Sequence, residues 1–250
     1  MKSIFHYTSI NNLALILKSK SIRFNRLDKV NDPTEGLSKD FHSLAPYIFI
    51  SCWTSNSEEN LALWNMYTPQ MRGVRIELNL PIFNSYDILK GEYSVYNMLF
   101  NESEFLNEDK GYFIGNGPNN PTKIEYTNDP KLLLPAIKTE NGLHARSIAK
   151  FKRIIWKFEQ EYRFRLDIYP IDKNIISNNF PDKYQHLLSN RTPAPIEEYF
   201  VKINDAVFDS MKITAGPKNQ SGDSEIIEAL ISKFNCKAKC SKSKLSGFIR

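Results

Sequence analysis

The segment that most restricts how this chain can fold is residues 158–168, in which apolar and polar side chains alternate. A period of two is the repeat of a β-strand, because successive side chains of a strand point to opposite faces. One face carries Phe158, Tyr162, Phe164, Leu166 and Ile168 with Gln160, and the other carries Glu159, Glu161, Arg163, Arg165 and Asp167. We expect a long strand with one face against a core. The charged face is either a solvent-facing ladder of salt bridges or part of a site that uses the two carboxylates.

The remaining pattern predicts a mixture of strands and helices. Residues 47–53 are almost continuously apolar, which is typical of a central strand, and residues 73–80 alternate as a half-buried strand does. Shorter strands are expected at residues 4–8, 21–24, 199–203, 211–214 and 236–240. Helices are expected after an N-cap at Ser9, after a capping box at 55–58, and at 140–153 and 224–233. Because strands and helices alternate irregularly, the fold class predicted is α+β.

Length and composition predict one domain over residues 1–250, with a surface insertion around 100–130 where Gly, Asn and Pro are frequent. Three cysteines are too few for a disulfide framework. The first residues lack the apolar stretch of a signal peptide, and no run of about 18 apolar residues occurs. We therefore expect a cytoplasmic protein without a membrane segment. No metal site is expected, since the four histidines lack zinc-ligand spacing with a cysteine pair.

The C-terminal end is basic, because no acidic residue follows Glu228. Its basic residues are Lys233, Lys237, Lys239, Lys242, Lys244 and Arg250. Such a patch would suit an anionic partner such as nucleic acid. Lysines on an edge strand also prevent edge-to-edge aggregation, so a protective role is the alternative.

Common nucleotide-binding and hydrolase signatures are absent: the sequence holds no GxGxxG, P-loop, GxSxG or HExxH motif. Two short polar segments stand out next to apolar strands. One is His6, Tyr7 and Thr8 at the end of the first strand, and the other is the segment 159–163. Cys52 is a further candidate nucleophile, although an apolar strand would raise the pKa of its thiol and no histidine is near it in sequence.

Taken together, these segments resemble the ADP-ribosyltransferases, including the DNA-targeting toxins, in their first strand, helix and second strand. The chain is also similar over almost its whole length to a bacterial family of uncharacterised proteins related to that fold. The motifs that carry the resemblance are His6-Tyr7-Thr8, Asn31-Asp32-Pro33-Thr34-Glu35, Ser51-Cys52-Trp53, Leu61-Ala62-Leu63-Trp64, Gly73-Val74, Glu159-Gln160-Glu161-Tyr162-Arg163 and Gly216-Pro217.

The resemblance implies a split mixed sheet flanked by helices and a transferase that uses NAD as co-substrate. The acceptor would be a protein or a nucleic acid, in the setting of a toxin or a phage-defence effector. Cleavage of the bond between ribose and nicotinamide develops positive charge on the ribose, which a carboxylate stabilises. Glu161 is the catalytic carboxylate that the resemblance implies, and Glu159 is the second candidate.

The same resemblance implies NAD-binding residues. His6 would bond the adenosine ribose, Thr8 and the backbone of Tyr7 would hold the nicotinamide end, and Ser51 would lie beside the nicotinamide ribose. Arg23 and Arg72 would bond the pyrophosphate, since guanidinium matches phosphate geometry. Trp64 and Tyr67 are interpreted as helix core, which leaves no clear counterpart of the aromatic residue that stacks on nicotinamide in some transferases.

Two alternatives belong to other classes of protein. The first alternative is a module that binds NAD or ADP-ribose without cleaving it. The second is an effector that binds nucleic acid through its basic C-terminal end.

Overall fold

The computed structural model describes residues 2–90, 93–139, 142–171 and 192–249. They form an α+β fold built on a large mixed sheet, which confirms the fold class. The main-sheet strands are β1 (Ser3–Ser9), β2 (Ser21–Arg26), β3 (Ile48–Thr54), β4 (Gly73–Asn79), β5 (Leu106–Asn107), β6 (Tyr112–Asn116), β7 (Thr122–Lys123), β8 (Glu161–Pro170), β9 (Glu198–Lys202), β10 (Lys212–Ala215) and β11 (Lys239–Lys242).

The helices are α1 (Ile10–Ser19), α2 (Leu61–Tyr67), α3 (Glu102–Phe105), α4 (Pro130–Leu133), α5 (Asp205–Asp209) and α6 (Ser221–Phe234). Short 3₁₀ helices cover Leu27–Lys29, Ala45–Tyr47, Pro69–Met71, Ala145–Ser147 and Ile154–Glu159. Small two-stranded sheets pair Leu37–Ser38 with His42–Ser43, Tyr86–Lys90 with Tyr93–Met98, Glu125–Thr127 with Phe151–Arg153, and Lys138–Thr139 with Gly142–Leu143.

The main sheet divides at β3. One edge of β3 pairs antiparallel with β8 from Ile48 to Thr54. On the other edge, β2 pairs with Phe49 and Ile50, whereas β1 pairs with Thr54. One branch of the sheet runs from β1 through β4 and β10 to β11, and the other joins β2 to β9. Residues 51–53 therefore border an opening between the branches, which we call the fork.

The largest cluster of buried apolar side chains lies between the sheet and the helices α1 and α6, which pack on each other. Phe164, Leu166 and Ile168 of β8 are completely buried in it, as the alternation of that strand predicts. A second cluster surrounds Tyr47 and Ile48 on the other side of β3. Since β3 is covered on both faces, its continuous apolar sequence is explained, and the prediction of a central strand is confirmed.

Local sequence signals explain where the first helix begins. The Ser9 hydroxyl accepts a hydrogen bond from the backbone N–H of Asn12 at 3.1 Å, so the predicted N-cap is confirmed. The helix predicted after residues 55–58 instead begins at Leu61, because the Asn60 side chain caps it by accepting from the N–H of Ala62 at 2.9 Å. The prediction that a capping box at residues 55–58 begins this helix is therefore wrong.

Two other predicted boundaries are wrong. The strand expected from residue 158 begins at Glu161, because Gln160 takes a left-handed conformation with φ 46° that ends the preceding 3₁₀ helix. The helix expected at 140–153 is replaced by short strands and a 3₁₀ turn in the described residues from 142 onward. Ala149 has φ 63°, which is incompatible with a right-handed helix. Residues 140 and 141 lie outside the described residues.

The stretch interpreted as a surface insertion contributes to the main sheet. Strand β6 pairs with β8, and Tyr112 and Ile114 of β6 are buried.

The strand expected at 236–240 is β11, displaced to Lys239–Lys242, and it ends one branch of the sheet. Its side chains are exposed, so Lys239 and Lys242 of the basic patch lie on an edge strand. Lys233 belongs to α6, Lys237 and Lys244 flank β11, and Arg250 lies outside the described residues. Among the described helices, none is long and apolar enough to cross a bilayer.

Gly73 lies where β4 passes closest to the neighbouring segments. A Cβ atom at this position would meet the backbone carbonyl of Thr8 and come within 2.6 Å of the Thr68 Cβ. We expect Gly73→Ala to lower the free energy of unfolding by about 1–3 kcal/mol, as overpacking does. Chemical denaturation measures it. Gly222→Ala is the control, because a Cβ there meets nothing within 4 Å; an equal loss in both variants would contradict the packing explanation.

Candidate functional site

A cavity of about 400 Å³ opens at the fork between the two branches of the sheet. Its wall includes His6, Tyr7 and Thr8 of β1, Arg23 of β2 and Ser51 of β3. Glu161 and Arg163 of β8 also reach it. The volume falls in the range of small-molecule pockets, roughly 300–1,000 Å³. The sheet therefore brings most of the residues singled out in the sequence to one cavity, which we call the fork cavity.

His6 links β1 to β3 at the fork. Its Nδ1 lies 2.9 Å from the backbone carbonyl oxygen of Cys52, a group that faces the opening between β1 and β2. A carbonyl only accepts, so Nδ1 carries the hydrogen and donates. Burial lowers the pKa of His6 below its ordinary value of 6.5, and the ring is neutral at pH 7. Nε2 is consequently an unprotonated acceptor, and the ring is fixed in one tautomer.

Tyr7, Thr8 and Ser51 are held by neighbours as well as lining the cavity. The Tyr7 hydroxyl accepts from the N–H of Asn60 at 3.0 Å, and the Thr8 hydroxyl accepts from the Asn12 amide at 3.0 Å. The Ser51 hydroxyl accepts from the indole N–H of Trp53 at 2.9 Å. Each hydroxyl therefore keeps its own hydrogen for another acceptor.

A smaller recess of about 70 Å³ adjoins the fork cavity, and we call it the inner recess. Five residues line both spaces: His6, Tyr7, Cys52, Tyr67 and Glu161. Its remaining lining is Phe5, Trp53, Thr54, Leu63 and Glu159. The recess is thus a largely aromatic space with carboxylates at its wall, a combination that suits a flat cationic group.

The carboxylates belong to a buried ion cluster centred on Arg163. The guanidinium donates from Nε to Glu161 Oε1 at 2.5 Å and from one terminal nitrogen to Glu161 Oε2 at 2.9 Å. It also forms a bidentate pair with Glu35 and donates to the backbone carbonyl of Ala149 at 3.2 Å. All five N–H groups of Arg163 are therefore used.

Lys152 completes the ion cluster from the other side. Its Nζ lies 2.6 Å from Glu159, 3.2 Å from Glu161 and 3.4 Å from Glu35. The ammonium also lies 4.7 Å from the ring centroid of Trp156. The hydroxyl of Tyr67 donates to the second oxygen of Glu159 at 2.5 Å. Three carboxylates and two cations thus share one buried volume.

Burial and the neighbouring charges shift the two carboxylates of the segment 159–163 in opposite directions. Burial raises the pKa of Glu159, and the negative charge of Glu161 adds to that rise. Burial also raises the pKa of Glu161, but the charges of Arg163 and Lys152 outweigh it and lower the pKa to about 2. Glu161 is therefore the permanently ionised member of the pair, and Glu159 is the one closer to holding a proton.

This geometry decides between the two interpretations of the charged face. Glu159 and Glu161 are 3% and 4% exposed, and Arg163 is 3% exposed, so the solvent-facing ladder is wrong for these residues. Of the two glutamates, only Glu161 lies on β8 itself. Glu159 precedes the left-handed Gln160 and reaches the ion cluster from the 3₁₀ helix.

The two arginines expected at a pyrophosphate have different positions. Arg23 lines the fork cavity and is held by Glu198 at 3.3 Å. Arg72 does not line it: its guanidinium forms a bidentate pair with Asp223 at the start of α6, at 2.8 and 2.9 Å. The prediction that Arg72 lines this cavity is therefore wrong. Its N–H groups bind Asp223 and so hold α6 against the chain that follows the 3₁₀ helix Pro69–Met71.

Sequence reasoning missed Glu35, Lys152 and Tyr67. Glu35 belongs to the quoted motif at residues 31–35, where Asp32 stabilises the turn by accepting from the N–H of Thr34 at 2.9 Å. Lys152 stands in a segment expected to be helical, and no local signal marks it. Tyr67 is not helix core, since its ring is partly exposed on the wall of both spaces. Burial raises the pKa of the Cys52 thiol well above its usual value, as expected for an apolar strand.

Within the described ranges, no group of three or more His, Cys, Asp and Glu side chains is arranged to hold a metal ion. Comparison of the chain with protein-family models, curated proteins and solved structures finds no match.

Removing the guanidinium should strongly destabilise the protein. Arg163→Met leaves Glu35 and Glu161 buried without their main partner, and breaking such a pair costs about 3–5 kcal/mol of unfolding free energy. Lys212→Met is the control, because Lys212 pairs with Glu77 in an exposed bridge worth less than about 1 kcal/mol. Equal losses by chemical denaturation would mean that the ion cluster is not the stabilising element.

The loss of unfolding free energy at acid pH should depend on the ionised carboxylate of Glu161. Its folded pKa of about 2 lies below its ordinary 4.5, so the stabilisation is complete above about pH 4.5 and is lost as the pH falls towards 2. The contribution of Glu159 to the pH dependence of stability has the opposite sign, because its pKa is raised in the folded protein. The unfolding free energy of the parent should therefore fall more steeply between pH 4.5 and 2 than that of Glu161→Gln. Parallel slopes in urea titrations across this window would contradict the assignment.

Proposed function

We propose that this chain binds NAD in the fork cavity and transfers ADP-ribose to an acceptor, on a split sheet of the ADP-ribosyltransferase type. The observation that carries the proposal is the convergence of His6, Tyr7, Thr8, Ser51 and Glu161 on one cavity. These residues come from β1, β3 and β8, three neighbouring strands of the main sheet, so their convergence is not a consequence of nearness in sequence. The division of the sheet at β3 supports the fold assignment.

The charge distribution around the cavity fits a dinucleotide. Arg23 and Lys29 on its wall would attract a pyrophosphate, and the carboxylates next to the inner recess would attract a cationic pyridinium ring. NAD supplies a bond between ribose C1′ and a cationic nicotinamide, and breaking that bond releases neutral nicotinamide and leaves positive charge at C1′. No general acid is required for this leaving group.

The side chains of this protein would act in separate roles. His6, with Nε2 as a fixed acceptor, would take a hydrogen bond from a ribose hydroxyl. The half-exposed ring of Tyr67 would cover the nicotinamide in the inner recess, which provides the aromatic surface that the sequence did not reveal. Glu161, ionised at neutral pH, would stabilise the charge that develops on the ribose. Glu159, with its raised pKa, would accept a proton from the acceptor nucleophile.

A second function is favoured by one observation, the near-saturation of Glu161. Its carboxylate already accepts from Arg163 twice and from Lys152 once. A carboxylate has about four acceptor sites, so little capacity remains for a ribose hydroxyl. This supports a module that binds NAD or ADP-ribose without cleaving it. The two functions differ in whether nicotinamide is released.

Incubation with labelled NAD and cell extract, followed by measurement of released nicotinamide, tests the transferase proposal. Glu161→Gln should reduce release roughly 100-fold to 1,000-fold, as the loss of one preorganised electrostatic group does. NAD affinity should change little, because the contact strengthens in the transition state. Measurements belong at a temperature where both proteins are folded, since Glu161 is buried and paired.

Asp167→Asn is the matched control. Asp167 lies on the same strand, is buried, and accepts from Arg165 at 2.6 Å as Glu161 does from Arg163, but it does not line the fork cavity. It should lose stability and keep turnover. If Glu161→Gln and Asp167→Asn reduce release equally, Glu161 has no catalytic role. A parent protein that binds NAD and releases no nicotinamide would establish the binding module instead.

A further inference from the structure

Two large apolar side chains are exposed at the wall of the fork cavity. Leu15 of α1 is 57% exposed and Phe200 of β9 is 52% exposed, and both line the cavity with Arg23 and Ser21. An isolated exposed apolar residue is ordinary. Two of them on the wall of one polar cavity form a surface against which a flat ring can pack.

The register of β2 and β9 fixes what surrounds Phe200. Phe200 lies directly opposite Arg23, and Ser21 lies opposite Lys202, so Ser21 is the diagonal neighbour of Phe200. Diagonal side chains of an antiparallel pair are about 7–8 Å apart and belong to the same face. A purine ring packed on Phe200 would therefore present one edge to Ser21, with Arg23 beside it.

The hydrogen bonds of Ser19 determine what Ser21 can offer. The Ser19 hydroxyl donates its hydrogen to the carbonyl of Leu15 at 2.8 Å. The two serine oxygens are 2.7 Å apart, so the hydrogen between them must come from Ser21. Ser21 has then used its only hydrogen, and its oxygen on the cavity wall is an acceptor. This position favours a ligand edge that donates, such as an exocyclic amino group, over one that carries a carbonyl.

We infer that Phe200, Leu15 and Ser21 form a nucleobase subsite that takes adenine, with the amino group of the base donating to Ser21 and the adjoining phosphate near Arg23. The inference rests on the proposed function in placing a nucleotide in this cavity, and it adds residues that the proposed chemistry does not use. Stacking of a base on an aromatic side chain contributes most of the affinity, and Ser21 contributes the choice of base.

Calorimetric titration of the parent with AMP and with IMP, which carries a carbonyl in place of the amino group, tests the subsite. AMP should bind several-fold more tightly than IMP, as one hydrogen bond provides. Phe200→Ala should raise the Kd for AMP about tenfold or more, and Phe200→Tyr should retain binding. Ser21→Ala should remove most of the preference for AMP. Phe248→Ala is the matched control, since Phe248 is 86% exposed and does not line the cavity.

Several outcomes would overturn the inference: no AMP binding at millimolar concentration, equal affinity for AMP and IMP, or no effect of Phe200→Ala. Titration with NAD and the nicotinamide assay, made on the same proteins, separate this inference from the proposed function. Turnover of NAD that is insensitive to Phe200→Ala would remove the subsite and leave the transferase. Binding of AMP that depends on Phe200, without nicotinamide release, would establish the subsite and remove the transferase.

Discussion

The pairing of Arg163 with Glu35 and Glu161 is the interaction on which the site depends. A guanidinium in the interior is tolerated only when its donors are satisfied, and here Glu35, Glu161 and the carbonyl of Ala149 satisfy all five. These partners belong to three separate parts of the chain. The ion cluster therefore fixes β8, the turn before Glu35 and the segment around Ala149 against one another, which places the carboxylates at the inner recess.

The same cluster sets the electrostatic character of the two carboxylates. Lys152 contacts both, yet Glu161 alone shares the guanidinium, so its pKa falls while that of Glu159 rises. A pair of acidic groups with divergent pKa values is typical of sites that need one permanent charge and one group able to exchange a proton. The side chains that stabilise this region would therefore also carry the proposed chemistry, so removing one charge changes stability as well as any turnover.

How far the sequence predicted this arrangement depended on the kind of information each residue carries. Periodicity predicted that Phe164 and Leu166 face the core, because alternation is a local property of a strand. Periodicity did not predict that the charged face of β8 is buried, because the groups that bury it, Glu35 and Lys152, belong to other segments of the chain. The left-handed Gln160 also had no local signal, and the turn there moves Glu159 off the strand. Arg72 was misplaced because its partner, Asp223, is 151 positions away.

The division of the sheet at β3 has a consequence for how the protein would respond to an occupant of the fork cavity. The cavity wall is shared by β1 on one branch and β2 on the other, so a molecule that fills the cavity would contact both. Separation of the branches would then require the molecule to leave, and the free energy of local opening would rise with its concentration. Amide hydrogens of β1 and β2 would exchange with solvent more slowly when the cavity is filled. The backbone of the fork would in this way report occupancy without any change in its average structure.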